Sequence, residues 1–198
     1  IQNIYKAFAW LKRNAAKYNI DTEEIFVGGE SAGAHLSAMA GAISSNPSYN
    51  ALFDLPDESR HQKIAGLVLN CGVFDLRKAL GINFRNIRLY VQSYCGGVPL
   101  DEVSEEKWKE ISPVHYVTAD FPPCFLVSAE RDALAPLTFD LAKRLKTLGV
   151  EYAHYHGKGR AAVHAFAVVQ ILKISREAMF GIKRFLVSHT KRGLLHYI

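Results

Sequence analysis

Apolar positions recur along this chain in two rhythms, and the alternation between them predicts the architecture. Ile4, Ala7, Phe8, Leu11, Ala15 and Tyr18 fall at helical spacing, which predicts an opening amphipathic helix over residues 1–18. Asn19, Ile20 and Asp21 break that pattern, and residues 24–28 predict a first strand. An alanine-rich stretch then predicts a helix to about Ser44, stopped by Ser45-Asn46-Pro47. Residues 48–62 are polar and are expected to form a loop without chemistry of its own. Residues 64–70 are apolar with no alternation, as a parallel strand covered on both faces is. Pro122-Pro123 leads into a third strand over 124–128, and a helix over about 136–148 follows, closed by Gly149. Residues 151–156 predict a fourth strand. A last helix over about 175–187 is expected to bury Ala178, Met179, Ile182, Phe185 and Leu186.

Strands alternating with helices predict an α/β fold, a mostly parallel sheet with helices on both faces. At 198 residues the chain is long enough for one such domain with a real core. Residues 74–119 are too many for a simple crossover. They hold a helix near 76–80, the aromatic residues Phe84, Tyr90 and Tyr94, the pair Gly96-Gly97, and a short helix over 104–111 that stops at Ser112-Pro113. Two readings stay open for this stretch: an insertion above the sheet that shapes a substrate pocket, or a surface excursion packed on the body.

Composition narrows the function classes. Hydrophobic content of 49% and charged content of 22% are ordinary for a globular protein, and no apolar run approaches the ~20 residues of a membrane span. The net charge of +5 is scattered; only Lys183, Arg184, Lys191 and Arg192 form a basic cluster, read as a solvated face. No aromatic-interleaved basic stripe accompanies it, so no nucleic-acid partner is expected. Cys71, Cys95 and Cys124 are odd in number and far apart, which supports neither a disulfide framework nor a zinc site. Cys71 and Cys124 are expected in the core. A reducing, cytoplasmic setting fits this cysteine usage; no signal peptide is visible, and the chain opens on Ile1 without an initiator Met.

The chemistry gathers around Gly29-Glu30-Ser31-Ala32-Gly33, a G-x-S-x-G run between a predicted strand and a predicted helix. Such a turn strains its serine, so small residues are expected two positions to either side. It also points the hydroxyl outward at a helix N-terminus, where backbone N–H groups and the helix dipole favour negative charge. In open parallel sheets functional groups collect beyond the carboxyl ends of strands. Ser31, Asp132 and His164 meet that condition, in the chain order Ser, acid, His. A serine hydroxyl needs a base; imidazole can take and return its proton near neutral pH, and a carboxylate on the far ring nitrogen fixes the tautomer. Ala32 N–H, directly after the serine, would supply one oxyanion-hole donor.

Other residues compete for each role. His154 and His156 alternate along the preceding strand and suit structural roles better than His164, which sits in the loop beyond. Glu130 and Asp140 compete with Asp132, while Asp75 is a loop cap or a minor acid candidate. His35 shares a helical face with Ser31 and is expected to be a hydrogen-bonded packing residue. Glu30 is expected to be a buried polar partner within the turn. The Gly157-Lys158-Gly159-Arg160 loop matches no phosphate-binding motif.

Gly29-Glu30-Ser31-Ala32-Gly33-Ala34-His35-Leu36, Phe125-Leu126-Val127-Ser128-Ala129-Glu130-Arg131-Asp132, His164-Ala165-Phe166 and Trp10-Leu11 ahead of Ile20-Asp21 together resemble the α/β-hydrolases. The similarity is to the carboxyl-terminal part of their esterase and lipase branch, which includes hormone-sensitive-lipase-like and arylformamidase-like enzymes, and it covers nearly the whole chain. It implies Ser31 as nucleophile, Asp132 as orienting acid and His164 as base. It further implies earlier strands and an H-G-G-G-type loop carrying the second oxyanion donor, roughly a hundred residues that do not precede Ser31 here. They are expected in a missing N-terminal segment or a second chain. Losing one such donor costs about 2.7–4 kcal/mol of transition-state stabilisation.

The expected function is hydrolysis of a small carboxylic ester through a Ser-His-Asp triad, with no metal or organic cofactor. An amidase such as an arylformamidase shares the chemistry. A non-catalytic binding protein of the same fold is the alternative from another class.

Overall fold

The computed structural model describes residues 1–190, so the expectation for Lys191 and Arg192 lies outside the described residues. The first half holds α1 (Gln2–Tyr18), β1 (Phe26–Glu30), α2 (Ala32–Ser45), α3 (Pro47–Asn50), α4 (Asp57–Arg60) and β2 (Gly66–Asn70). Then follow α5 (Leu76–Ala79), α6 (Ile87–Tyr94), α7 (Glu105–Glu110), β3 (Cys124–Ala129), α8 (Ala135–Leu148), β4 (Tyr152–Gly157) and α9 (Lys173–Ser188). The strands form one sheet in the order β1-β2-β3-β4, every pair parallel.

The period-2 geometry of strands divides their side chains between two cores. Leu67, Leu69 and Leu126 face α2 and α8, joined by Tyr5 and Phe8 of α1. Phe125 and Val127 face the opposite way, against Ala178, Ile182 and Phe185 of α9, with Phe26 and Val68 packed alongside. A third, smaller core joins Val73, Leu76, Ile87, Val91 and Trp108 to Leu134 and Leu137 at the start of α8. Residues 74–119 therefore have an apolar core of their own, packed where α8 begins.

Several local expectations shift. β1 runs two residues further than its apolar pattern, because Gly29 and Glu30 pair in register with Leu69 and Asn70. The face that α1 buries is set by Tyr5, Phe8 and Ala9; Ala7 is exposed, and Tyr18 stacks on Trp10 at the surface. Met179 is 39% exposed, one position round α9 from the buried Ala178. The expected plain loop over 48–62 contains α4 and most of α3, and several of its polar residues are buried: Tyr49, Asn50, Ser59 and Gln62. Tyr49 Oη donates to Glu110 O (2.6 Å), Ser59 Oγ to Tyr5 O (2.8 Å), and Asn50 Nδ2 to Arg60 O (2.9 Å). Polarity misleads here because these groups satisfy buried backbone carbonyls.

Candidate active site

Parallel register assembles the site. Past β1, Ser31 N–H donates to Asn70 O at 2.9 Å, and past β2, Cys71 N–H donates to Val127 O at 2.8 Å. Beyond β3 and β4 the pairing resumes as a single bridge between Arg131 and Val163. The next residue on each side is Asp132 and His164, so the two arrive together.

Ser31 lies at φ 54° and ψ −115°, a left-handed backbone that costs a non-glycine residue about 1–2 kcal/mol. The turn fits because Gly29 has no side chain: a Cβ there would lie 2.4 Å from the carbonyl carbon of Gly33. The crowding is one-sided, since a Cβ on Gly33 would meet nothing within 4 Å. The Ser31 hydroxyl makes no capping bond to α2 and instead faces His164, with Oγ 3.0 Å from Nε2. His164 Nδ1 is 2.9 Å from Asp132 Oδ2. A carboxylate accepts only, so Nδ1 carries the ring proton and the Nε2 lone pair receives the Ser31 O–H. Asp132 Oδ1 accepts from Leu134 N–H at 3.0 Å. The Asp132 side chain is fully buried, while that of His164 is 24% exposed. Ala32 opens α2, where its N–H has no carbonyl one turn back to bond.

Beside these groups lies a cavity of about 510 Å³ reached by Ser31, Ala32 and His164. Its walls are largely apolar: Leu36 from α2, Val73 and Leu76 after β2, Phe84, then Ile87 and Val91 of α6. That volume and lining suit a small organic ligand. A wider groove of about 680 Å³ runs between β4 and α9, but Ser31, Asp132 and His164 do not line it.

The other candidates have separate duties. His35 is buried, with Nδ1 donating to Val73 O (2.7 Å) and Nε2 3.2 Å from Tyr94 Oη. Burial lowers its pKa to about 4, so it is neutral near pH 7 and accepts from the tyrosine. His154 Nε2 and His156 Nδ1 both lie 2.8 Å from Ser128 Oγ, and burial lowers the pKa of His154. Glu130 Oε2 accepts from Gly159 N–H (2.7 Å), which ties down the glycine loop after β4. Asp75 caps α5 through Lys78 N–H (3.0 Å), and Asp140 pairs with Lys78 Nζ (3.0 Å) on the surface. Glu30 is half-buried and opposite Asn70.

Two neighbours of the site have no distinctive sequence signal. Phe84 stands edge-to-face with His164, ring centroids 5.0 Å apart. Cys71, expected only as core, brings its Sγ within 4.8 Å of ligand atoms of Asp132 and His164. Burial pushes its thiol up to about 12, so it keeps its proton at neutral pH. Its place directly after a strand end was the available clue.

A parallel sheet crossed by helices, with a strained serine between a strand end and a helix, defines the α/β-hydrolase fold. Among solved structures, esterase B from Lactobacillus rhamnosis is similar with a TM-score of 0.78 at 19% identity, over 96% of this chain and 61% of that one. Esterase LipQ of Mycobacterium tuberculosis is 28% identical over 136 residues, 69% of this chain and 31% of that protein. Acetyl esterase of Salmonella dublin is 25% identical over 206 aligned positions, covering 96% of this chain and 58% of that enzyme. The chain thus spans less than two thirds of each of these relatives. It lies in the esterase branch of the α/β-hydrolases. Within that branch it belongs to the BD-FAE family, whose model matches residues 1–145, a stretch that includes Ser31 and Asp132 and ends before His164.

Proposed function

We propose that this chain carries the acyl-transfer centre of a serine carboxylesterase acting on small carboxylic esters. The observation that carries the reading is the line of hydrogen bonds from Ser31 through His164 to Asp132, at 3.0 and 2.9 Å, opening on an apolar cavity. The esterase names of its relatives support the same reaction class.

In this reading Ser31 Oγ bonds the ester carbonyl carbon while His164 Nε2 takes its proton. Asp132 holds the imidazole in that tautomer and stabilises the imidazolium, and Ala32 N–H donates to the carbonyl oxygen as it becomes an oxyanion. The imidazolium then protonates the departing alkoxide, leaving alcohol and an acyl-serine. Water attacks the acyl carbon as His164 takes one of its protons. Collapse releases the carboxylic acid and returns that proton to Ser31. General acid–base help of this kind supplies roughly 10²–10⁴-fold. The apolar walls between Leu36 and Val91 receive the acyl chain.

Labelling with a fluorophosphonate probe, followed by peptide mass spectrometry, tests the assignment. Label is expected on Ser31 and absent from Ser31→Ala. If neither this chain nor a longer polypeptide containing it labels at Ser31, the reading is wrong.

A further inference from the structure

Five described non-glycine residues have positive φ, and three of them belong to the site or adjoin it: Ser31 at 54°, Cys71 at 47° and Ala165 at 65°. Ser31 is the proposed nucleophile and Ala165 follows the proposed base. Cys71 has no such role, yet it too holds a strained backbone, and it is 1% exposed. An outlier of this kind persists where surrounding structure imposes it, and such residues concentrate at functional sites. Here the strain directs the side chain at the end of β2 toward the Asp132–His164 pair.

The thiol's surroundings are specific. Its Sγ lies within 4.8 Å of ligand atoms of both Asp132 and His164. The Asp132 carboxylate and the Ala165 backbone are close enough to act on the thiol, and Glu30 adds a second negative field from β1. A protonated thiol beside a carboxylate is placed to donate to it. Asp132 accepts from Leu134 N–H and His164 Nδ1–H, and the thiol is placed as a third donor. The same sulfur clips the loop that carries His164 to the carboxylate that orients His164.

We propose that Cys71 is a positioning residue of the hydrolytic centre, fixing Asp132 and the residue after His164 through one side chain. It acts through the acid and the base and touches no substrate. This inference rests on the triad reading above. A donor to Asp132 spreads its negative charge and moderates its pull on an imidazolium at His164. Removing the thiol therefore lets His164 hold its proton to higher pH and loosens the loop.

The test compares Cys71→Ala and Cys71→Ser, with Cys71→Gly as the variant whose backbone suits φ 47° should alanine fail to fold. Cys71→Ala is expected to lower kcat about tenfold with KM nearly constant. The acid limb of the pH–rate profile moves upward. Cys71→Ser, which keeps a donor, restores most of kcat and leaves the limb near its wild-type position or below it. The His164 imidazole is also titrated by NMR in each variant, its resonance assigned by loss in His164→Gln; this readout needs no turnover. A kcat within twofold of wild type with an unmoved imidazole titration overturns the proposal. So does serine behaving like alanine, which would leave only packing. Failure of wild type to label at Ser31 refutes the hydrolase reading, while the imidazole titration still decides whether Cys71 acts on the pair.

Discussion

Acidification tests the structure through His35. The imidazole is 3% exposed, with Val73 O on one nitrogen and Tyr94 Oη on the other. Burial lowers its pKa from 6.5 to about 4, whereas in the unfolded chain it returns to the ordinary value. Between those values the unfolded chain binds a proton that the folded protein refuses, so the stability of the fold falls as pH drops. The full interval corresponds to about 3 kcal/mol, and about 2 kcal/mol of it is already lost at pH 5 relative to pH 8. Urea unfolding at the two pH values measures this against His35→Asn, whose amide can still donate to Val73 O. The variant should be less stable at pH 8 by about 1–2 kcal/mol, the worth of a buried polar contact and some packing. Its pH dependence should be flatter than wild type by about 2 kcal/mol. Parallel curves for the two proteins would refute the neutral, buried imidazole.

Three further outcomes follow from the strand-to-helix turn at Ser31 (the elbow) and the cavity. Gly29→Ala forces a Cβ into the Gly33 backbone and should destabilise by about 3 kcal/mol or more, whereas Gly33→Ala, with open space at its Cβ, should stay within about 1 kcal/mol by thermal melt. Ser31→Gly removes the proposed nucleophile but suits the φ of 54°, so it should lose fluorophosphonate labelling while gaining about 1 kcal/mol of stability; a lower Tm would count against strain at this turn. Leu36→Trp narrows the cavity beside Ser31 and should cost hexanoate esters roughly tenfold more in kcat/KM than acetate esters, and equal losses would place the acyl group elsewhere.

The two central strands were legible because 64–70 and 124–128 are apolar on both faces almost throughout. The pattern places β1 two residues early because Gly29 and Glu30 resemble a turn when seen alone; their strand character comes from pairing with β2. The polar stretch 48–62 hid two short helices because Asn50, Ser59 and Tyr49 serve partners distant in sequence. At the site, the placement of Ser31, Asp132 and His164 after strand ends could be read from order alone. Their meeting depends on register: the Arg131–Val163 bridge gives no local signal. Phe84 against His164 was beyond reach for the same reason, since an aromatic residue in a long crossover does not reveal which ring it meets. Cys71 looked like core because it is core; only its neighbours make it more.

Ser31 and His164 touch across 133 positions of chain, and Asp132 joins them from a third strand end. Contacts of such long separation carry the entropy of closing large loops, so they form with the global topology rather than ahead of it. No local piece of the chain contains the constellation: the elbow with α2 brings the hydroxyl alone, and β3 to the His164 loop brings only the acid and the base. During refolding, reactivity at Ser31 should therefore return with the last cooperative step, after helical signal has recovered. In the native state, an opening that releases the His164 loop would silence the serine while most of the sheet stays paired. On the proposed reading, reactivity at Ser31 is a reporter of completed topology.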